Sequence, residues 1–294
     1  MRTLGIILAA GKSSRLYPAT IAATKQLLPI YDKPLIYYPL SVLMLAGIKD
    51  ILIITNPDEL YFFQKLLGNA VNELGLDSIE FAVQDSPRGL PDAFRVADET
   101  INISRFNRTA LILGDNIFYG AGFRGLLNLS YRHSPYVDIY AQKVKDPTRF
   151  GVVELDSEGD VVSLEEKPKE PKSNYAVTGL YFFPQNVYEE VWDLRPSARG
   201  ELEIVDLLKV YMKNNRLTTV KLQRGMTWFD TGTPDSLLEA SGYVKSIQEH
   251  QNFLVGSPHE IAYKNKWIDT ETLLEFANTC SKSAYGQYLL ELIK

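Results

Sequence analysis

The first 115 residues alternate between short apolar runs and longer segments with helical spacing. "LGIILAA" (4–10), "DILIIT" (50–55), "IEFAVQ" (79–84) and "TALILGD" (109–115) have the length and character of strands. Between them, "PLIYYPLSVLMLAGI" (34–48) has helical length and ends at Gly47. "PDELYFFQKLLG" (57–68) is amphipathic and closes at Gly68, and a further helical run lies near 91–100. Strand, helix, strand at this rhythm predicts βαβ units, hence a mostly parallel central sheet with helices on both faces. Ligands of such sheets bind beyond the carboxyl ends of the strands, where the loops beginning near Ala10, Gln84 and Gly114 should lie.

The texture changes after residue 135. "VDIYAQKV", "GVVELD", "VVSLEEKP" and "YAVTGLYFFP" are short strand-like runs broken by Gly, Asp and Pro, and they predict a mixed region extending the first sheet. Helices are expected over 186–194 and 203–214, and a strand over 216–222. The segment 233–250 reads as a long helix with Thr233 as N-cap and Pro234 in its first position. The chain from about 257 to 294 reads as helical and opens on "SPHE", a capping-box pattern.

Composition narrows the class. The chain has 294 residues, 45% of them apolar, which is enough to bury a substantial core. A net charge of -5 argues against a nucleic-acid surface, and no run is long and apolar enough to span a bilayer. Neither nucleic acid nor a membrane is therefore expected as a partner. No signal-peptide pattern opens the chain, and its one cysteine, Cys280, has no neighbouring histidine; both fit a structural thiol and a cytoplasmic location. His133, His250 and His259 have no metal-ligand spacing, so a zinc site is not expected.

The run "GIILAAGKSSRLYPAT" (5–20) contains Gly-Lys-Ser after a strand. The phosphate loop of nucleotide hydrolases needs Gly, four residues, then Gly-Lys-Ser/Thr. Here that first Gly would fall on Ile6, and Pro18 follows soon after Lys12. The dinucleotide fingerprint Gly-x-Gly-x-x-Gly is absent as well. What remains is one glycine, two hydroxyls, exposed N–H groups and the cations Lys12, Arg15 and Lys25, a set able to wrap a polyphosphate. On composition alone an ordinary βα turn with solvated cations describes the same residues equally well.

The loop and the run "KQLLPIYDKPLIYYPLSVLMLAGI" resemble the sugar nucleotidyltransferases, or sugar-nucleotide pyrophosphorylases, and more narrowly their glucose-1-phosphate thymidylyltransferase branch. The resemblance continues in order through "LGDNIFYG", "RFGVVELD", "SLEEKPKEPKSNYAVTGLYFF", "RGELEIVD" and "WFDTGTPDSLLEA", and covers essentially the whole chain. It implies a Rossmann-like α/β nucleotidyltransferase fold with a core over 1–250. The nucleotide-binding half would be about 1–135, the sugar-binding half about 136–250, and a C-terminal helical extension would occupy 251–294. The chain departs from the family pattern at several places. The family loop usually reads LAGGSGTR, so Ala10, Lys12, Ser13 and Ser14 differ, and Ser13 replaces a glycine. PSPDGLAQAF becomes "DSPRGLPDAF" (85–94), and Phe150 replaces Tyr.

The reaction so implied joins dTTP to glucose 1-phosphate, giving dTDP-glucose and pyrophosphate, as a first step towards dTDP-rhamnose or other deoxysugars. UTP is an alternative nucleotide, and a non-catalytic nucleotide-sugar-binding paralogue an alternative class. The attacking phosphate is already an anion, so catalysis should be positioning plus cationic stabilisation, with no covalent intermediate. Arg15 and Lys25 are the candidates to neutralise the triphosphate. By resemblance Leu8, Gly11, Ser13, Ser14 and Gln26 line the same nucleotide pocket.

Asp115 and Asp230 are the implied Mg²⁺ ligands, although an Asx turn before Asn116 and a helix-start acid explain them as well in isolation. Glu166 and Lys167, with Asn116, Gly151 and Val177, are the implied glucose 1-phosphate residues; the plain alternative is a solvated Glu-Lys turn. Gln84 and Gly89 match the positions that read thymine, and would serve uracil equally. Glu201 either shapes the sugar side or caps a helix. The resemblance also implies a homotetramer with a second nucleotide-sugar site for feedback. There the family typically has Arg and His where this chain has Lys264 and Ala121, which predicts weakened or altered regulation.

Overall fold

The structure, a computed structural model, describes residues 2–132, 135–198 and 200–294. His133 and Arg199 of the "RGELEIVD" run lie outside the described residues.

The elements run in chain order as β1 (Thr3–Leu8), β2 (Pro29–Ile30), β3 (Lys33–Pro34), α1 (Tyr37–Leu45), β4 (Asp50–Thr55), α2 (Leu60–Leu67), α3 (Ala70–Leu74), β5 (Ser78–Val83), α4 (Asp92–Thr100), β6 (Arg108–Leu113), β7 (Asn116–Tyr119) and α5 (Phe123–Arg132). They continue as β8 (Val137–Lys143), β9 (Gly151–Leu155), β10 (Val161–Glu166), β11 (Tyr175–Pro184), α6 (Val187–Glu190), α7 (Ile204–Lys213), β12 (Leu217–Lys221), β13 (Thr227–Asp230), α8 (Pro234–Gln251), α9 (Pro258–Lys264), α10 (Thr270–Thr279) and α11 (Ala284–Leu292).

Nine strands form one sheet, in which β5, β4, β1 and β6 lie side by side and parallel. Strand β11 then joins β6 antiparallel through Leu180–Pro184 and pairs with β9 through Tyr175 and Ala176 on that same edge, while β8 runs along its opposite edge. β12 extends β8, and β10 extends β9. The parallel half and its mixed extension are thus the α/β architecture expected from the change of texture after residue 135.

Consecutive side chains of a strand face opposite sides, and both sides here are covered. Ile7, Ile51, Ile53 and Ile112 pack into one buried cluster with Leu40 and Leu43 of α1. Ile6, Leu52, Ile54 and Leu111 enter another with Phe94 of α4 and Leu207 of α7. Burial on both faces explains why these strands read as continuous apolar runs. Helix α1 is buried on every side from Tyr37 to Met44, as its uninterrupted apolar sequence requires. Leu273, Ala277 and Leu289 of the C-terminal helices join the α1 cluster, so the last segment shares a core with the first βα unit.

Several local expectations needed adjustment. The helix expected from residue 34 begins at Tyr37, because Lys33–Pro34 pairs with Pro29–Ile30 in a small hairpin. Strands β7 and β13, which pair antiparallel with each other, were not read from the sequence, and neither were α3 and α5. Four-residue strands carry too little alternation to detect, and α5 holds Gly125, Asn128 and Ser130, all poor helix formers. Thr233 does cap α8, in a full capping box with Ser236. At "SPHE" only half the box forms: Ser257 accepts from the Glu260 N–H, while the Glu260 side chain accepts from Lys264.

Candidate active site

The site forms where the loops after β1, β5 and β6 meet the strand wall of β9, β10 and β11. Its centre is a cleft of about 600 Å³ lined by Arg15, Asp115, Glu166, Lys167, Val177 and Asp230, with Asn116, Gly89 and Gly151 also on its walls.

The loop after β1 is held close to the end of β6: Leu8 accepts from the Gly114 N–H at 2.9 Å. A side chain at position 114 would meet the Gln26 Cγ at 3.0 Å, which accounts for a glycine there. Gly11, Ser14 and Arg15 are exposed on the loop. Ser13 adopts the left-handed conformation (φ 49°), the backbone that favours the glycine of the family pattern. The Thr20 hydroxyl fastens this turn by donating to the Ser13 carbonyl at 3.0 Å.

Lys25 is buried, and its ammonium pairs with the Asp115 carboxylate at the floor of the cleft. Asn116 donates to Asp115 Oδ1 at 2.8 Å, and the Thr231 hydroxyl donates to the Asp115 carbonyl at 2.8 Å. Asp230 lies across the β7–β13 pairing, opposite Asn116. Burial, and then the negative charge of Asp115, push the Asp230 carboxyl above its ordinary value; Lys25, Arg15 and Arg149 act in the opposite direction. Gly232 leaves room for Arg15, because a Cβ there would sit 2.8 Å from the guanidinium.

Two neighbouring carboxylates, one of them raised by burial and by the charge of the other, with oxygen donors only, are a set that a hard divalent cation would complete with phosphate and water oxygens. Among the described residues no group of three or more His, Cys, Asp or Glu suited to a metal occurs, so the protein itself would contribute these two.

The opposite wall holds the residues expected to bind the sugar phosphate. Gly151 and Glu166 are register partners in the β9–β10 ladder. A Cβ on Gly151 would stand 3.5 Å from Glu166 Oε2 and 3.7 Å from Val177, so the three surround one point. Lys167 is left-handed (φ 46°) just past the end of β10. That conformation breaks the strand alternation, and Glu166 and Lys167 both line the cleft, their charged ends 3.3 Å apart.

Gln84 follows β5, is 4% exposed, and donates its amide to Asp92 at 2.7 Å. Gly89 (φ 97°) forms an isolated bridge with Leu202, whose carbonyl would lie 2.0 Å from any Cβ at that position. Glu201 lines the cleft, whereas the residue preceding α7 is Glu203, whose carboxylate accepts from Ser197. The cap reading of Glu201 therefore fails.

Residues 4–246 match the nucleotidyl transferase family. A glucose-1-phosphate thymidylyltransferase of Neisseria meningitidis is 50% identical to the chain over 290 residues, covering 99% of each. The chain belongs to the nucleotidyl transferases, in their glucose-1-phosphate thymidylyltransferase branch. A Mycobacterium tuberculosis enzyme of the same name is 47% identical over 293 residues, again covering 99% of each chain. A Bacillus anthracis structure described as a glucose-1-phosphate thymidylyltransferase in complex with sucrose superposes with a TM-score of 0.74 at 38% identity, covering 82% of this chain and 94% of that one. A UDP-glucose pyrophosphorylase bound to UDP-glucose shares the fold (TM-score 0.71, 24% identity, 84% and 99% coverage).

In this nucleotidyl transferase the sequence reading missed Arg149 and Trp228. Arg149 lines the cleft 3.8 Å from Asp230 Oδ2, and its place beside Phe150-Gly151 was the available signal. Trp228 and the Gly179 N–H both donate to Asn116 Oδ1, at 2.5 and 3.1 Å. With its amide also on Asp115, Asn116 braces that carboxylate from behind. No local pattern encodes this, because Trp228, Gly179 and Asn116 come from three separate strands.

Proposed function

We propose that this nucleotidyl transferase moves the thymidylyl group of dTTP onto α-D-glucose 1-phosphate, giving dTDP-glucose and pyrophosphate. The observation that carries the reading is one cleft with Arg15 and the Lys25–Asp115 pair on one side and Glu166, Lys167 and Gly151 on the other. The sugar phosphate, held by Lys167 and by Glu166 at the hydroxyls, presents an anionic oxygen to the α-phosphorus. As that bond forms, the bond from the α-phosphorus to the β-phosphate oxygen breaks, and pyrophosphate leaves in line. Arg15 and Lys25 offset the charge that grows on the departing group. Asp115 and Asp230 would hold Mg²⁺, which when bound neutralises phosphate charge and fixes the α-phosphate geometry. Gln84 and Gly89 face the base; Leu8, Gly11, Ser13, Ser14 and Gln26 frame the triphosphate.

Among the described residues no helix is long and apolar enough to cross a membrane. We read the protein as a cytoplasmic homotetramer at the head of a deoxysugar route such as that to dTDP-rhamnose. A second cleft of about 320 Å³, lined by Tyr38, Phe118, Gly256, Glu260 and Lys264, fits the feedback site of the family reading. Lys264 is committed to Glu260 there and lacks the fork of an arginine, so feedback by dTDP-rhamnose is weakened. Low-micromolar inhibition from that cleft would overturn this.

The deciding experiment is pyrophosphate release from a panel of triphosphates with glucose 1-phosphate. The expected order is dTTP ahead of UTP, with the purine nucleotides inert. UTP ahead of dTTP makes the protein a uridylyltransferase, and silence with every nucleotide makes it a binding paralogue. Excess chelator should abolish turnover.

A further inference from the structure

The helix after the base-side loop begins at Asp92, and its N-cap, Pro91, provides no side-chain cap. An acid in a first helical turn ordinarily serves the helix dipole or solvent. Asp92 does otherwise: it is 2% exposed, and its Oδ2 accepts from the Gln84 amide at 2.7 Å and from the Arg88 Nε at 3.0 Å. The Arg88 side chain is about half exposed, and its carbonyl accepts from the Leu202 N–H at 2.9 Å, beside the Gly89–Leu202 bridge. Gln84, Arg88, Gly89 and Asp92 thus form one joined unit at the edge of the cleft.

We infer that Asp92 is a positioning residue that sets nucleobase choice by fixing which way the Gln84 amide points. The inference rests on the reading of Gln84 as facing the base. A carboxylate paired with Arg accepts hydrogen bonds and donates none, so only the NH₂ end of Gln84 can turn to it. The carbonyl oxygen and the second N–H are left for a ligand in one spatial order. Thymine and uracil present an N3–H donor beside the O4 acceptor; cytosine presents the N3 acceptor beside the N4 donor. An amide held in one orientation matches the first order and opposes the second, and an amide free to flip serves both. Asp92 and Gln84 therefore discriminate between pyrimidine edges, without separating dTTP from UTP.

The test compares kcat/KM for dTTP and dCTP, with glucose 1-phosphate saturating, in the wild type, Asp92→Asn, Gln84→Ala and the double variant. Asn can offer either its oxygen or its NH₂, so Asp92→Asn should lower the dTTP-to-dCTP ratio at least tenfold. Most of the change should fall on KM for dTTP, and KM for glucose 1-phosphate should stay as in the wild type. In the Gln84→Ala background, adding Asp92→Asn should change the ratio less than twofold. If Gln84→Ala collapses the ratio and a folded Asp92→Asn, checked by its thermal midpoint, keeps it, Asp92 is structural only and the inference fails alone. A ratio untouched by Gln84→Ala overturns the base-site reading as well. Should Asp92→Asn not fold, Asp92→Ala takes its place, because it removes the acceptor and leaves the amide free to flip; a drop in the ratio is expected and an unchanged ratio overturns the inference.

Discussion

The two sides of the cleft are built differently. The side proposed to hold the sugar phosphate is a wall of paired strands: Gly151 and Glu166 face each other in a ladder, and Val177 lies on the adjoining β11. The side proposed to hold the triphosphate is a turn with Gly11, Ser14 and Arg15 in solvent, fastened by Thr20 to the Ser13 carbonyl and closed by a single 3-10 turn over Ser14–Leu16. A wall made of backbone hydrogen bonds is in place before ligand arrives. The exposed loop instead offers the Arg15 cation to charge that develops on phosphate. Selection of the sugar should therefore depend on the wall, and rate on the loop.

Arg15→Ala tests the loop most directly. Steady-state pyrophosphate release should fall on the order of 100- to 1000-fold at saturating substrates, the loss typical for one preorganised charge-stabilising donor. KM for glucose 1-phosphate should barely move; a parallel collapse of sugar-phosphate affinity would erase the division of labour. Lys167→Ala tests the wall. Calorimetric titration should show glucose 1-phosphate binding weakened by about tenfold or more, as for loss of a charge-assisted hydrogen bond, and wild-type affinity would contradict its role.

Acid should act away from both regions. His259 is buried against Phe276 and Tyr285, and burial pushes its imidazole down to about 3. The folded protein keeps this ring neutral while the unfolded chain protonates it below its ordinary value of 6.5. Its contribution is therefore complete above that pH and is lost as pH falls from there towards 3, at up to about 1.4 kcal/mol per pH unit. Urea midpoints of the wild type should drop between pH 7 and pH 5 more steeply than those of His259→Phe; parallel curves would refute this. The smallest effect belongs to Ser13→Gly, which removes a left-handed serine at the cost of a freer unfolded chain, for a net gain of about 0.5 kcal/mol. A lowered thermal midpoint would show that the Ser13 hydroxyl matters more than its backbone.

The fold was largely legible because its central strands are buried on both faces, and such strands write themselves as apolar runs ending at functional loops. Ala10, Gln84 and Gly114 were located in this way, and the structure brings the loops after β1 and β6 together. The elements that escaped were β2, β3, β7, β13, α3 and α5, too short or too poor in strong formers to show a period. In the site, the identities of Arg15, Lys25, Asp115, Lys167 and Asp230 could be proposed from pattern and resemblance. The state of each could not. Nothing local says that Lys25 is spent on Asp115, that Asn116 is held by Trp228 and Gly179, or that Arg149 stands beside Asp230.

The sequence by itself determined the class of sheet, the end of it where a ligand is expected, and the charges available there, since hydrophobic period and residue identity are properties of single segments. Only the tertiary structure decided which groups meet: Asp115 with Lys25 and Asp230, Gln84 with Asp92, Gly151 with Glu166. Those encounters depend on strand register and on chain crossings between distant segments, and no single segment carries that information.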